Sequence, residues 1–260
     1  MPFVSLRDAE IHYEVEGSGP GLVLVHGTGG NAESVYGASL PHFNGDRTVI
    51  RPNFSGSGQT TDGGGTLTVE QVADQIAAVT RKESDGPADL VGFSLGAVAV
   101  AAVAARYPEL VRRLVLVAGW AHSTGPRDHL YFHTWRGLFD ADRELFKRFT
   151  TLTGFSAHAV DGFGHEGLAA SFAAEWPPAS MARQIDLCAA VDIRDLLPKI
   201  QAPTLVLALG EDTMVPPDGS RQLQAGIPGS RLVQLDGVGH LDWLGRPDQV
   251  VGVVKEFLAD

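Results

Sequence analysis

Four short, nearly uninterrupted apolar runs constrain this chain most: GLVLV at 21–25, ADLVGF at 88–93, RRLVLV at 112–117 and PTLVLAL at 203–209. A strand that is apolar on both faces belongs inside a sheet covered on both sides. Helical patterns stand between these runs. LTVEQVADQIAAVTRK places Val69, Val72, Ala73, Ile76 and Val79 on one face, with Thr68 as N-cap. LGAVAVAAVAARY is apolar nearly all round, as a helix lying against a sheet is, and Pro108 ends it. NAESVYGASLPHF reads as a further helix capped by Asn31. RTVIRP and SRLVQLDG add strands, and FVSL and IHYEVEG pair as an N-terminal hairpin. Two more helices are expected, over 217–226 and from about Pro247 to Leu258. Strands alternating with helices predict the α/β class, with a mostly parallel sheet and helices on both faces.

The pattern changes from Trp120 to about Ile200, where Phe, Trp and His become frequent, the spacing is helical and no good strand is present. Alternation then resumes. Residues 120–200 are therefore read as a helical insertion in a core formed by 1–119 and 201–260. The 260 residues, 44% hydrophobic, are enough for one such domain. A net charge of -11 argues against a nucleic-acid surface, which needs a basic stripe, and against a basic membrane anchor. The one cysteine, Cys188, permits no intrachain disulfide, as suits a reducing compartment. MPFVSLRDAEIHYEVEG carries no basic segment followed by an apolar one, and no uncharged run reaches membrane-spanning length. A cytoplasmic protein without membrane insertion is expected.

Gly92-Phe93-Ser94-Leu95-Gly96 sits where the buried strand 88–93 meets the alanine-rich helix. In a chain with 31 glycines the pattern alone carries little weight, so its context decides. A tight strand-turn-helix pushes its central residue out at the carboxyl edge of the sheet. The helix starting there aims free N–H groups and its positive end at that residue. Ser94 is thereby a candidate nucleophile rather than a simple cap. A serine hydroxyl needs a base, and the base needs an orienting group. His240, in DGVGHLDW after the last strand, lies at the same edge. Asp212, in GEDTMVPP after the preceding strand, can hold the imidazole, with Glu211 beside it and Asp236 and Asp242 flanking His240 as less suitable carboxylates. The run HGTGG places the backbone N–H of Thr28 beside the same edge. With the N–H of Leu95 it can form an oxyanion hole, while His26 is structural. His129 and His133 are four apart, but Leu130 stands where a zinc-hydrolase motif needs glutamate, so the pair is read as lining the insertion. Neither a dinucleotide fingerprint nor a P-loop occurs, and no cofactor or metal is implied.

Ser94, Asp212 and His240 follow one another in the order nucleophile, acid, base, each after a different strand. On these three residues, together with HGTGG, NFSGSGQT, GFSLG, GEDTMVPP and GVGHLDWLGRP, the chain resembles the α/β-hydrolase fold superfamily in its compact, helically capped, serine-dependent form. The resemblance implies an eight-stranded sheet, a catalytic triad and an acyl-enzyme route for esters, lactones or thioesters; the aromatic residues of 120–200 are read mostly as the core of the insertion, with a minority facing the cleft and favouring a small, largely apolar substrate. The chain departs from the family pattern at Asn53, where aspartate is usual, at Ala97, where a second glycine is common, and at Leu209 in the acid loop. Perhydrolysis, carbon–carbon bond hydrolysis, lyase chemistry on the same triad, and non-catalytic ligand binding are the alternatives; a homodimer is compatible with the sequence.

Overall fold

The computed structural model of the protein describes residues 2–173 and 175–259. Its strands are β1 (Phe3–Leu6), β2 (Ala9–Glu16), β3 (Gly21–Val25), β4 (Thr48–Pro52), β5 (Ala88–Phe93), β6 (Val111–Val117), β7 (Thr204–Leu209) and β8 (Arg231–Leu235). They form one eight-stranded sheet in the order β1-β2-β4-β3-β5-β6-β7-β8. β1 pairs antiparallel with β2, and β2 with β4; every other pairing is parallel.

The alternation of side chains along these apolar strands builds two cores. Val23, Val25, Leu90, Leu114, Leu116 and Val206 face one side. Leu22, Leu24, Val91, Phe93, Val115, Val117, Leu205 and Leu207 face the other. The first core is covered by α2 (Val69–Glu83) and α3 (Leu95–Arg106), the second by residues of α1 (Ala32–Tyr36), α9 (Asp242–Gly245) and α10 (Asp248–Ala259). All residues of α3 from Leu95 to Ala104 are buried, which explains a helix without a polar face. The helix expected over 31–43 is shorter: α1 ends at Tyr36, and a 3-10 turn at Leu40–His42 follows Gly37.

Between β6 and β7 stand α4 (Pro126–Ala141), α5 (Arg143–Gly154), α6 (Ala157–Ala173) and α7 (Met181–Ala189); α8 (Pro217–Gly226) follows β7. α6 is interrupted at Gly164, where φ is 62°. α4 packs on α5 and α7, held by aromatic contacts such as Trp135 stacked on Phe146 at 5.5 Å. Most of the aromatic residues of this segment thus pack against one another. No helix among the described residues is long and apolar enough to cross a membrane.

Candidate active site

Ser94 lies between β5 and α3 with φ 55° and ψ -122°, a left-handed conformation that costs a non-glycine residue about 1–3 kcal/mol. Its N–H donates to the carbonyl of Val117 at 2.9 Å, and its carbonyl accepts from Ala97 N–H at 2.9 Å, so the turn is held from β6 and from α3. The flanking glycines are sterically required. A Cβ on Gly92 would stand 2.3 Å from the Gly96 oxygen, and one on Gly96 2.3 Å from the Val25 oxygen.

Three loops at the carboxyl ends of the strands converge on this serine. Nε2 of His240 is 3.0 Å from Ser94 Oγ, and Nδ1 of His240 is 2.5 Å from Oδ2 of Asp212. All three side chains are buried. Nδ1–H donates to the carboxylate, and Nε2 faces the hydroxyl. The other oxygen of Asp212 accepts from Val215 N–H at 2.7 Å, so both carboxylate oxygens are held.

The alternative carboxylates do other work. Glu211 and Asp236 are exposed. Asp242 accepts from Gly239 N–H at 2.8 Å and from Ser156 N–H at 3.1 Å, bracing the loop that carries His240.

The HGTGG loop closes the other side. Gly27 is so near that a Cβ there would lie 2.9 Å from Ser94 Cβ. The Gly27 carbonyl accepts from His26 Nδ1–H at 2.8 Å and from Gly30 N–H at 3.3 Å. Because a trans peptide sets its C=O and N–H antiparallel, anchoring that oxygen also fixes the direction of the Thr28 N–H. His26 is fully buried and stacks on Phe54 at 4.1 Å; burial lowers its pKa to about 4, so it is a neutral structural group. Leu95 opens α3, and the first N–H groups of a helix have no intrahelical acceptor.

Thr28, Ser94 and His240 line a cavity of about 60 Å³ whose remaining walls are largely apolar, among them Trp120, Phe132, Trp135, Met181 and Met214. The polar tips of its tryptophans are bonded to protein partners. Trp120 Nε1–H donates to Ser123 at 2.8 Å, Trp135 to Thr150 at 2.7 Å and Trp176 to the Gly29 carbonyl at 3.1 Å. Cys188 also lines the cavity. Burial pushes its thiol up to about 12, so it stays protonated and unreactive at neutral pH. His129 and His133 do not line the cavity; their rings lie tilted against each other on the exposed side of α4, centroids 4.1 Å apart. Among the described residues no group of three or more His, Cys, Asp or Glu is placed to hold a metal ion.

Sequence reasoning missed Gln184, Met181 and Trp176, which pack on or bond to the HGTGG loop. One signal existed. Met181, Ile185 and Cys188 form an apolar stripe on α7, and Gln184 is a polar residue inside it.

Comparison with known proteins places these observations in a family. A family model described as alpha/beta hydrolase fold matches residues 20–247. The chain is 39% identical over 261 residues to a pyrrolizixenacetamide deacetylase of Xenorhabdus hominickii, covering 99% of this chain and 98% of that protein. It is 28% identical over 245 residues to a pimeloyl-[acyl-carrier protein] methyl ester esterase of Neisseria meningitidis, covering 91% of this chain and 76% of the relative. An α/β hydrolase enzyme from a Medee basin deep-sea metagenome library superposes with a TM-score of 0.88 at 21% identity, over 100% of this chain and 98% of that one. The chain therefore belongs to the α/β-hydrolase fold family, as an esterase-like hydrolase.

Proposed function

We propose that this protein is a serine hydrolase that acts through an acyl-enzyme, removing a short, uncharged acyl group from a carboxylic ester or thioester or opening a small lactone. The observation that carries the reading is the relay from Ser94 Oγ to His240 Nε2 at 3.0 Å and from His240 Nδ1 to Asp212 at 2.5 Å. His240 Nε2 takes the hydroxyl proton as Ser94 Oγ attacks the acyl carbon. The carbonyl oxygen becomes an oxyanion, which the N–H groups of Thr28 and Leu95 stabilise. The imidazolium, steadied by Asp212, gives its proton to the departing alcohol or thiol oxygen or sulfur, leaving the acyl group on Ser94. Water then loses a proton to His240 and attacks the acyl carbon, and the imidazolium returns that proton to Ser94 Oγ as the acid is released.

The walls speak to the substrate. A water molecule needs about 10–15 Å³ on the same measure, so a cavity of about 60 Å³ admits an acyl group of only a few non-hydrogen atoms. With the tryptophan N–H groups already bonded, the wall offers shape and apolar contact more than polar recognition. The 39%-identical relative, named for removing an acetyl group from an acetamide, supports an acyl group of that size and adds an amide as a possible scissile bond.

The test is covalent labelling with a fluorophosphonate and turnover of p-nitrophenyl acetate. The wild-type protein should label at Ser94 and hydrolyse the ester. Ser94→Ala should lose the label and roughly 10³-fold or more in kcat. A Ser94→Ala protein with wild-type turnover would sink the reading.

A further inference from the structure

The loop expected to hold the oxyanion is built from Gly27, Thr28, Gly29 and Gly30, and three glycines make it intrinsically mobile. A hole that stabilises charge without reorganising has to be rigid before the reaction starts. His26 secures the first peptide of the loop from within the core. The next two are secured from the segment between β6 and β7.

Gln184, in the middle of α7, is fully buried. Its Oε1 accepts from Gly29 N–H at 2.8 Å. Its Nε2 donates to the Ser55 carbonyl at 3.0 Å and to Ser57 Oγ at 2.8 Å. One amide thus bridges the HGTGG loop, the loop after β4 and α7. The Gly29 carbonyl accepts from Trp176 Nε1–H at 3.1 Å, and Thr28 Oγ1 lies 3.1 Å from Cys188 Sγ. α7 approaches so closely that a Cβ on Gly29, which has φ +71°, would stand 2.5 Å from Met181 Sδ. An apolar side chain would fill the Gln184 position in the stripe without a buried polar group to satisfy. The amide is instead matched at both ends.

We infer that Gln184 is a positioning residue: by holding the Thr28–Gly29 peptide from α7 it fixes the far side of Thr28, whose own N–H lies in the preceding peptide that His26 anchors, so that the oxyanion hole keeps its geometry only while α7 is seated on the core. The inference rests on the serine-hydrolase reading above. A misplacement of about 1 Å at the Thr28 N–H costs on the order of a hundredfold in rate.

The test uses Gln184→Met, which keeps the length and removes the hydrogen bonds. Two inhibitors with the same short chain are compared: a trifluoromethyl ketone, to which Ser94 adds to form an oxyanion, and the matching methyl ketone, which fills the cavity with little adduct. Gln184→Met should lower kcat on p-nitrophenyl acetate by about 10- to 100-fold, with KM changed less than about threefold. The Ki of the trifluoromethyl ketone should rise in step with the loss in kcat, and that of the methyl ketone should stay put. Equal weakening of both ketones, or an unchanged kcat, would overturn the inference. If Gln184→Met does not fold, Trp176→Phe keeps a ring and removes the N–H that holds Gly29. It should weaken the trifluoromethyl ketone selectively by several-fold, and an unchanged ratio of the two Ki values overturns the inference there too. A wild-type protein whose Ser94 does not take the fluorophosphonate label would overturn the serine reading itself, and the role of Gln184 with it. An intact label with a non-selective change sinks only the role of Gln184.

Discussion

Asp212 is one of two adjacent carboxylates that follow β7. Position after β7 put it at the right edge, yet Glu211 shares that position, and backbone direction decides between them. Asp212 points inward to His240 while Glu211 points to solvent. Asp212→Asn should therefore leave the fold intact and cut kcat by up to about 10⁴-fold, because an amide favours the wrong imidazole tautomer. Steady-state kinetics alongside a melting curve checks this, and an unchanged rate would move the orienting role elsewhere. Asn53, a departure from the family pattern, has a local reason. Its Oδ1 accepts from Ala32 N–H at 2.8 Å, and its Nδ2 is 2.8 Å from Nδ1 of His12, whose pKa burial lowers. An amide can donate to that neutral imidazole, where an ionised carboxylate can only accept. Trp135 is one of the large side chains that line the cavity. Trp135→Leu should shift kcat/KM among p-nitrophenyl esters from acetate toward hexanoate, and an unaltered chain-length profile would remove Trp135 from the cavity wall.

Among the elements, those governed by local rules were the ones the sequence revealed. The buried strands, the all-round apolar α3 and the strand-turn-helix at Ser94 each follow from residues close together in the chain. Gly92 and Gly96 carry that local logic furthest. Gly92→Ala would drive a Cβ into the Gly96 carbonyl, a backbone atom with no freedom to yield. It should destabilise the protein by about 1–3 kcal/mol or more and abolish activity, read from urea unfolding and ester turnover together. A variant of wild-type stability would show that β5 and α3 are less tightly coupled than the geometry requires. By contrast, the grip of α7 on the HGTGG loop joins residues about 155 positions apart. No local pattern encodes such a contact; only the polar residue in the α7 stripe marks it.

For the whole molecule, acid acts through two separate routes. His26 has a folded-state pKa near 4 against an unfolded value of 6.5. Above pH 6.5 it is neutral in both states and pH does not matter to it. Between 6.5 and 4 the unfolded chain binds a proton that the folded one refuses, so stability falls with falling pH by up to about 3 kcal/mol and levels off below. Burial lowers His12 as well, in the same direction. Urea midpoints measured from pH 7 to 4 should show this loss, and His26→Asn should flatten it; equal slopes would acquit His26. In the same window the net charge of -11 shrinks toward the isoelectric point near 5.2, so solubility reaches its minimum as stability drops.

The hydrogen bond between Gln184 and Gly29 carries an obligation of reciprocity. If a seated α7 favours the oxyanion, then an oxyanion must favour a seated α7 by the same free energy. Hydrogen exchange of the amides over 181–189 should slow when the trifluoromethyl ketone is bound, and more than with the methyl ketone. A helix that contributes no atom to the bond being broken would thereby register the transition state.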